Sequence, residues 1–249
     1  MKHTLKSFAV FGLAFHAMAA AEVTELPPLE IQASAFGGRT PDDVVQPVQV
    51  LIGDELERKR AGTIGETLSQ EPGIANSSFG AGAGRPVIRG LSGSRVQVLE
   101  NGLPAMDASD VSADHAVAID PSHAQQIEII RGPATLLFGS GALGGVVNLV
   151  TDRLGGQPGS GLRLFADSRY GDNADETSSH AGVEYNGEAW SFHLDGAYRD
   201  QKDYEQGGGL GVLANSKLDA RNGSVGFGYN GSGGRYAANL SVFETTYGL

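Results

Sequence analysis

An aspartate and a histidine stand side by side at positions 114 and 115, within the stretch VSADHAVAID. An imidazole nitrogen and a carboxylate oxygen are half of the four ligands that a Zn²⁺ site usually takes. Two adjacent residues can share a metal ion in a loop, but not on a regular strand, where successive side chains point to opposite faces. Asp114 and His115 are therefore candidate metal ligands; the alternative is a contact from Asp114 to the backbone that orders the loop.

A glycine-rich segment at residues 139–144, GSGALG, fits the G-x-G-x-x-G pattern of dinucleotide-binding enzymes. That pattern requires a helix directly after the glycines, because the helix amino terminus binds the pyrophosphate. Here GVVNLV follows, which is typical of a strand. The sequence also has no G-x-S-x-G elbow and no H-E-x-x-H helix. We therefore predict no catalytic residues, no resident cofactor and no enzymatic activity.

Composition and the first residues indicate an exported protein. The chain has 249 residues, no cysteine and a net charge of −11, and such a charge repels nucleic acid. Lys2 and Lys6 precede a short apolar run, FAVFGLAF, and small residues then permit cleavage after Ala19 or Ala21. We predict a signal peptide over residues 1–21 and a mobile arm over residues 22–44, where prolines and glycines disfavour a helix.

Residues 45–155 have the composition of a compact α/β unit. Thr63 and Glu66 form a capping box that predicts a helix of about two turns, ending at Pro72 and Gly73. Strands are predicted at RPVIRG, SRVQVLE, QQIEIIRG and GGVVNLVT, with a tight turn at Asn101 and Gly102.

Residues 160–249 alternate between apolar and polar side chains over five segments, GLRLFADSRY, AGVEYNG, WSFHLDGAYRD, SVGFGYN and RYAANLSVFE. This pattern is typical of a membrane barrel wall, in which apolar residues face lipid and polar ones face the lumen; a soluble sandwich is the alternative. Short turns at NGE and NGSGGR alternate with longer loops at GDNADETSS and DQKDYEQGGGLGVLANSKLDARNG, which favours the barrel. Phe243 breaks the alternation and predicts a bulge or strand end.

Three further histidines follow the signal segment. His193 lies on the polar face of its segment, His180 begins a strand, and His123 follows a turn at Asp120 and Pro121. For each of them we favour a solvated or lumen-lining role over metal ligation.

The order of these segments resembles that of the TonB-dependent receptors of the bacterial outer membrane. The most specific match is IEIIRGPATLLFGSGALGGVVNLVT at residues 127–151, and LSQEPGI, RPVIRG and VLENGLP also match in order. The resemblance implies an α+β plug domain at 45–155, followed at 160–249 by the first five antiparallel strands of an incomplete transmembrane β-barrel. It also implies a Gram-negative outer-membrane location, with the plug in the lumen and the arm in the periplasm.

The resemblance further implies a TonB box in the arm, where it would pair as an added strand with the TonB energy-transducing complex. The residues at that place are Leu29, Glu30, Ile31, Gln32 and Ala33. The other expected partners are outer-membrane lipid and a transported metal ion.

The segment SADHAVAID, followed by AQQIEIIRGP, resembles the zinc-receptor branch of the family, in which this Asp-His pair contributes to a zinc site on the plug. High-affinity zinc uptake is therefore the expected function, with a siderophore, haem or cobalamin receptor as the alternative. A surface β protein or adhesin would need neither the arm nor the plug glycines. Because five strands cannot close a barrel, we expect the sequence to be a truncated fragment.

Overall fold

Short strands and turns alternate through the first half of the structure, which is a computed structural model describing residues 48–105, 107–156 and 158–248. The predicted signal peptide, arm and TonB box lie outside the described residues. Among the described residues, nine strands and α-helices precede residue 151: β1 (Val48–Ile52), α1 (Gly53–Lys59), α2 (Ile64–Thr67), β2 (Ile74–Ser78), β3 (Gly84–Ile88), β4 (Val96–Glu100), β5 (Leu103–Pro104), β6 (Gln126–Ile130) and β7 (Gly145–Val150). None of the described helices is long and apolar enough to cross a membrane.

A mixed sheet with the strand order β1-β6-β7-β4-β5 forms the centre of this half. Strands β4 and β7 are parallel and the other neighbours are antiparallel. Every residue of β6 and β7 is buried, which explains their many β-branched residues, because a strand covered on both faces has no solvent-facing side. The polar residues among them are hydrogen-bonded to each other: Gln126 and Asn148 both donate to Glu128. The strand predicted after GSGALG is thus confirmed as β7. The Asn101-Gly102 turn is also confirmed, with φ values of 49° and 79°.

The predicted two-turn helix is wrong in length, since α2 is a single turn. Its start is as expected, because the Thr63 hydroxyl accepts a hydrogen bond from the Glu66 amide at 3.2 Å. Beyond Leu68 the chain continues in turns that bring Ile74 opposite Ile88 in the β2–β3 pair. That strand pairing outweighs the local helical propensity.

The second half is a sheet of five long strands in sequence order, every neighbouring pair antiparallel, as the fold-class prediction requires. A small hairpin is inserted between the third and fourth long strands. The strands are β8 (Gly161–Gly171), β9 (Glu176–Asn186), β10 (Trp190–Gln201), the hairpin strands β11 (Glu205–Gln206) and β12 (Gly211–Val212), β13 (Leu218–Gly231) and β14 (Gly234–Tyr247).

The two faces of this sheet differ as the alternation predicts. Apolar side chains on the outer face are exposed, among them Leu164, Leu194 and Leu240, at 71%, 57% and 69%. Polar side chains on the inner face are buried against the first half of the chain, for example Asp195 and Ser224. An exposed apolar band on strands of this length is typical of a barrel wall that faces lipid.

The predicted bulge or strand end at Phe243 is wrong. Strand β14 runs without interruption to Tyr247, and Phe243 pairs with Asn222 in register. Its side chain lines a small cavity together with Ile64 and Val117 of the first half. An inward apolar residue is stable there because it meets protein rather than water.

The loop lengths also differ from those predicted. The connection between β8 and β9 is a four-residue turn, 172–175, because both strands extend further than their apolar alternation does. Asp175 closes it by accepting hydrogen bonds from Tyr170 and Lys202, at 2.9 Å and 2.8 Å. The connection between β10 and β13 is longer, as predicted, and contains the β11–β12 hairpin. The domain boundaries at 45–155 and 160–249 stay predictions.

Candidate functional site

The loop that carries Asp114 and His115 connects β5 to β6 and is closed by one aspartate. Asp107 accepts a hydrogen bond from the Ser109 amide at 2.8 Å, which caps the turn Ala108–Asp110. Its second oxygen accepts from the Ala118 amide at 2.7 Å, on the far side of the loop. A single carboxylate therefore connects Ser109 to Ala118, on the two sides of the Asp114–His115 pair.

Asp114 and His115 lie at the exposed part of this loop. Their side chains are 42% and 53% exposed, and His115 Nδ1 is 3.1 Å from Asp114 Oδ1. Ser112 also donates a hydrogen bond to that oxygen. Hydrogen bonds from Ser112 and His115 lower the pKa of the Asp114 carboxyl, so the group is an anion at neutral pH. In the described part of the chain, no third His, Asp or Glu joins the pair closely enough to complete a metal site.

Tyr247, the last residue of β14, fixes the backbone beneath the pair. Its hydroxyl donates to the Asp114 carbonyl at 2.7 Å and accepts from the Ala116 amide at 2.9 Å. Its ring lies against Gly82, where a Cβ atom would be 2.6 Å from the ring. The long-stranded sheet thus orders the loop, a role the sequence did not indicate because 131 residues separate Tyr247 from Ala116.

A second group of chemically capable side chains lies buried between the two halves. His123 Nδ1 is 2.5 Å from Asp195 Oδ1, and His193 Nε2 is 3.1 Å from Asp195 Oδ2. The His180 ring packs edge-on to that of His123, with 4.4 Å between centroids. Of the two roles predicted for these three histidines, the solvated one is wrong, because each is at most 9% exposed, and the lumen-lining one stays a prediction. His193 does lie on the inner face of its strand, as predicted.

Arg153 connects this group to the mixed sheet. It lies in the turn Asp152–Leu154 and donates to Asp195 at 3.0 Å and to Glu100 of β4 at 3.1 Å. The turn approaches strand β13 of the long-stranded sheet so closely that a Cβ atom on Gly226 would be 2.1 Å from the Arg153 carbonyl oxygen. Glycine at position 226 is therefore required for this contact.

Other charged contacts join the two halves further along the sheet. Arg199 of β10 donates to the Gly62 carbonyl at 2.5 Å, and Arg169 of β8 donates to Glu57 at 2.6 Å. Together with the ion pairs of Arg153, these contacts hold the first half of the structure against the inner face of the long strands.

The fold and these contacts define a class of protein, a plug domain set against strands of a barrel wall. Residues 40–146 match the family described as TonB-dependent Receptor Plug Domain. Residues 40–146 are therefore similar to a TonB-dependent receptor plug domain, and the antiparallel strands that follow have the fold of strands in solved receptor barrels.

Curated relatives and solved structures agree with this class. The chain is 36% identical to the hemin receptor of Yersinia pestis over 134 residues, which is 51% of the chain. It is 31% identical to the ferrioxamine B receptor of Salmonella typhimurium over 140 residues, which is 55% of the chain. The copper transporter OprC superposes over 81% of the chain with a TM-score of 0.66 and 24% identity. The ferric-catecholate import receptor Fiu of E. coli K12 covers 83%, with a TM-score of 0.63 and 18% identity. The matched regions span 19% and 20% of the two relatives, and 31% and 28% of the two solved chains.

Proposed function

We propose that this chain functions in a TonB-dependent receptor that takes up Zn²⁺ through the outer membrane of a Gram-negative bacterium. The observation that carries the proposal is the Asp114–His115 pair: an ionised carboxylate beside an imidazole, both exposed, on a loop whose backbone is fixed. Oxygen and nitrogen donors of this kind suit Zn²⁺, and a preordered loop lowers the entropic cost of binding.

The exposed position of the pair fits the capture of an arriving cation. Two ligands alone bind weakly, so the proposal requires further ligands from other parts of the receptor, outside the described residues. The protein side chains bind and position the ion, and no covalent step takes place.

Release to the periplasm then requires mechanical work, because the outer membrane has no supply of ATP. In the proposed cycle, Leu29, Glu30, Ile31, Gln32 and Ala33 of the TonB box pair with the TonB complex as an added strand. Pulling on the plug has to break the contacts that hold it to the long strands, such as those of Arg153 and Arg199. The receptor would thereby open a path for the ion.

A siderophore, haem or cobalamin receptor is the second candidate. The likeness to the hemin receptor and the ferrioxamine B receptor favours it. Against it, residues 103–123 contain no Phe, Tyr or Trp, the side chains that stack best on large planar ligands.

Isothermal titration of Zn²⁺ into the purified full-length receptor tests the proposal. We expect Asp114→Ala and His115→Ala each to weaken binding at least about tenfold, which corresponds to roughly 1.4 kcal/mol. Asp110→Ala is the matched control, because it removes an exposed carboxylate from the same loop without touching the pair. Equal affinities in all four proteins would refute a role for the pair, and tight binding of haemin or a ferric siderophore without zinc binding would favour the second candidate.

A further inference from the structure

We propose that His123, His180 and Asp195 form a second, buried site for a divalent transition-metal ion such as Zn²⁺, located where the plug meets the long-stranded sheet. It does not depend on which cargo the receptor carries. It is also remote from the Asp114–His115 pair. Asp114 contacts Tyr247 of β14. Tyr247 pairs with Leu218 of β13, and Leu218 pairs with Gln201 of β10, so Gln201 marks the position of the Asp114–His115 pair along β10. Asp195 lies six residues before Gln201, or about 20 Å along the strand.

The first support is convergence. One ligand atom from each of the three side chains lies within 4.8 Å of the other two. Ligand atoms about 2.0–2.2 Å from a tetrahedral Zn²⁺ are roughly 3.4 Å apart, so side-chain shifts of at most about 1.4 Å would close the set. Two imidazoles and one carboxylate are also a ligand set found in catalytic zinc sites, with a fourth position left for water.

The second support is a buried nitrogen of His180 that lacks a partner. The Nε2 atoms of both His123 and His180 are buried and accept or donate no hydrogen bond among the described residues. The opposite nitrogen of each ring faces a carboxylate: His123 Nδ1 is 2.5 Å from Asp195, and His180 Nδ1 is 3.6 Å from Asp167. For His180 this is the arrangement that outer-shell contacts create in metal sites, with Asp167 as the outer-shell carboxylate and Nε2 facing the ion. His123 would instead bind through Nδ1, the nitrogen that already faces the proposed ligand Asp195. A bound cation would supply the missing partner of His180 Nε2, which is otherwise a cost of about 1–3 kcal/mol.

The third support is local charge. Arg153 is shared between Asp195 and Glu100, and Arg163 is shared between Glu184 and Asp152. Each guanidinium therefore has two carboxylates to balance. These four carboxylates outnumber the two guanidinium groups, even with His193 protonated between Glu184 and Asp195, and the excess negative charge favours a divalent cation.

Cavities on either side give access to the site. A cavity of about 270 Å³ is lined by His123, His180 and His193, and the His180 side chain also borders a larger cavity of about 790 Å³. An ion or a coordinating water can therefore reach the cluster without unfolding of the sheet. His193, which lies 3.1 Å from Asp195, is a nearby candidate for a fourth ligand.

The three ligands come from both halves of the molecule. His123 belongs to the plug turn Pro121–His123, whereas His180 and Asp195 belong to β9 and β10. An ion held by all three would cross-link the plug to the wall. Bound metal should therefore raise the temperature at which the plug separates from the strands.

The test uses the full-length receptor carrying Asp114→Ala and His115→Ala, which removes the other proposed site, after treatment with EDTA. We expect this background protein to bind one equivalent of Co²⁺, a spectroscopic substitute for Zn²⁺, with visible bands of a low-coordinate site. Adding His123→Gln or His180→Gln should weaken that binding about 100-fold or more, because even outer-shell changes cost about 10–100-fold. Ser191→Ala, a buried change on the inner face of β10, is the matched control and should leave it unchanged.

The His→Gln variants could lose metal binding simply because they fold poorly. Two further measurements therefore use the background protein, in which all three proposed ligands are intact. X-ray absorption of the zinc-loaded background protein should show scattering from at least two imidazoles, and its melting temperature should rise when ZnCl₂ is added. The proposal fails if the background protein binds no equivalent of Co²⁺, or if both His→Gln variants bind it as the background does. The Asp114–His115 site is tested separately, by comparing metal binding of the wild-type receptor with that of the background protein. Either site can therefore be refuted without affecting the other.

Discussion

Tyr247 determines how rigid the Asp114–His115 loop is, through one hydroxyl group that acts as both donor and acceptor. Each of its two hydrogen bonds contributes about 0.5–1.5 kcal/mol to the ordered state of the loop. Removal of the hydroxyl leaves the Ala116 amide without this acceptor while the ring still packs on Gly82. The loop should then sample more conformations, and the two candidate ligands would lose their fixed relation to the rest of the protein.

We therefore predict that Tyr247→Phe accelerates hydrogen exchange at the Ala116 amide about 5- to 30-fold and weakens Zn²⁺ binding by a smaller factor. Tyr236→Phe on the exposed face of the same strand is the control, and it should change neither quantity. Mass-spectrometric exchange on the full-length receptor measures the first effect. Unchanged protection of Ala116 in Tyr247→Phe would mean that the loop is ordered by Asp107 alone.

At the same scale, the sequence identified the Asp114–His115 pair because the two residues are adjacent. It did not identify the cluster of His123, His180 and Asp195, because these belong to three elements brought together only by strand pairing and by the seating of the plug. Alternation along β10 indicated that His193 and Asp195 share a face. No local pattern indicated that His123 would meet them.

The turn Asp152–Leu154 is the element through which the two halves make their closest backbone approach. It lies against β13 at Gly226, and it presents Arg153 to both sheets. Any side chain at position 226 would push the turn away from the strand. The Arg153 guanidinium would then lose its geometry with Asp195.

We predict that Gly226→Ala destabilises the full-length receptor by about 1–3 kcal/mol, the usual cost of overpacking, and lowers its melting temperature by several degrees. Gly223→Ala on the same strand is the matched control, since a Cβ atom there would be 3.7 Å from the nearest atom. Thermal melts in detergent compare the two. Equal melting temperatures would show that the turn can move at little cost.

Elements with a clear period were predictable, and elements set by distant contacts were not. The five long strands follow from period-two alternation, because one face of each meets a different environment from the other. Helix α2 is shorter than its sequence suggests because the pairing of Ile74 with Ile88 stops it. The bulge predicted at Phe243 is wrong for a similar reason, since the apolar contact of this residue is with the first half of the chain, 126 positions away at Val117.

Across the whole molecule, the inner face of the long-stranded sheet is covered by the plug, whereas its outer face exposes apolar side chains. The interface is held mainly by charged and polar groups rather than by an apolar core. Several of these contacts are buried, Arg153 with Asp195 among them, and loss of one partner of a buried ion pair costs about 3–5 kcal/mol, so the two halves are held firmly while they stay packed. That property depends on the assembled structure and is not visible in any single segment.

The five-stranded sheet leaves β8 and β14 as edge strands. Unpaired backbone groups at an edge cost several kcal/mol each in hydrocarbon, so this sheet alone is not stable in a membrane. We predict that residues 22–249, produced without any further chain, form no conducting pore in lipid bilayers and support no zinc-dependent growth of a strain that lacks its own zinc receptor. The full-length receptor, produced in the same strain, is the positive control. Growth rescued by residues 22–249 alone would mean that the strand edges are closed by association with other copies, and it would contradict transport through a longer barrel.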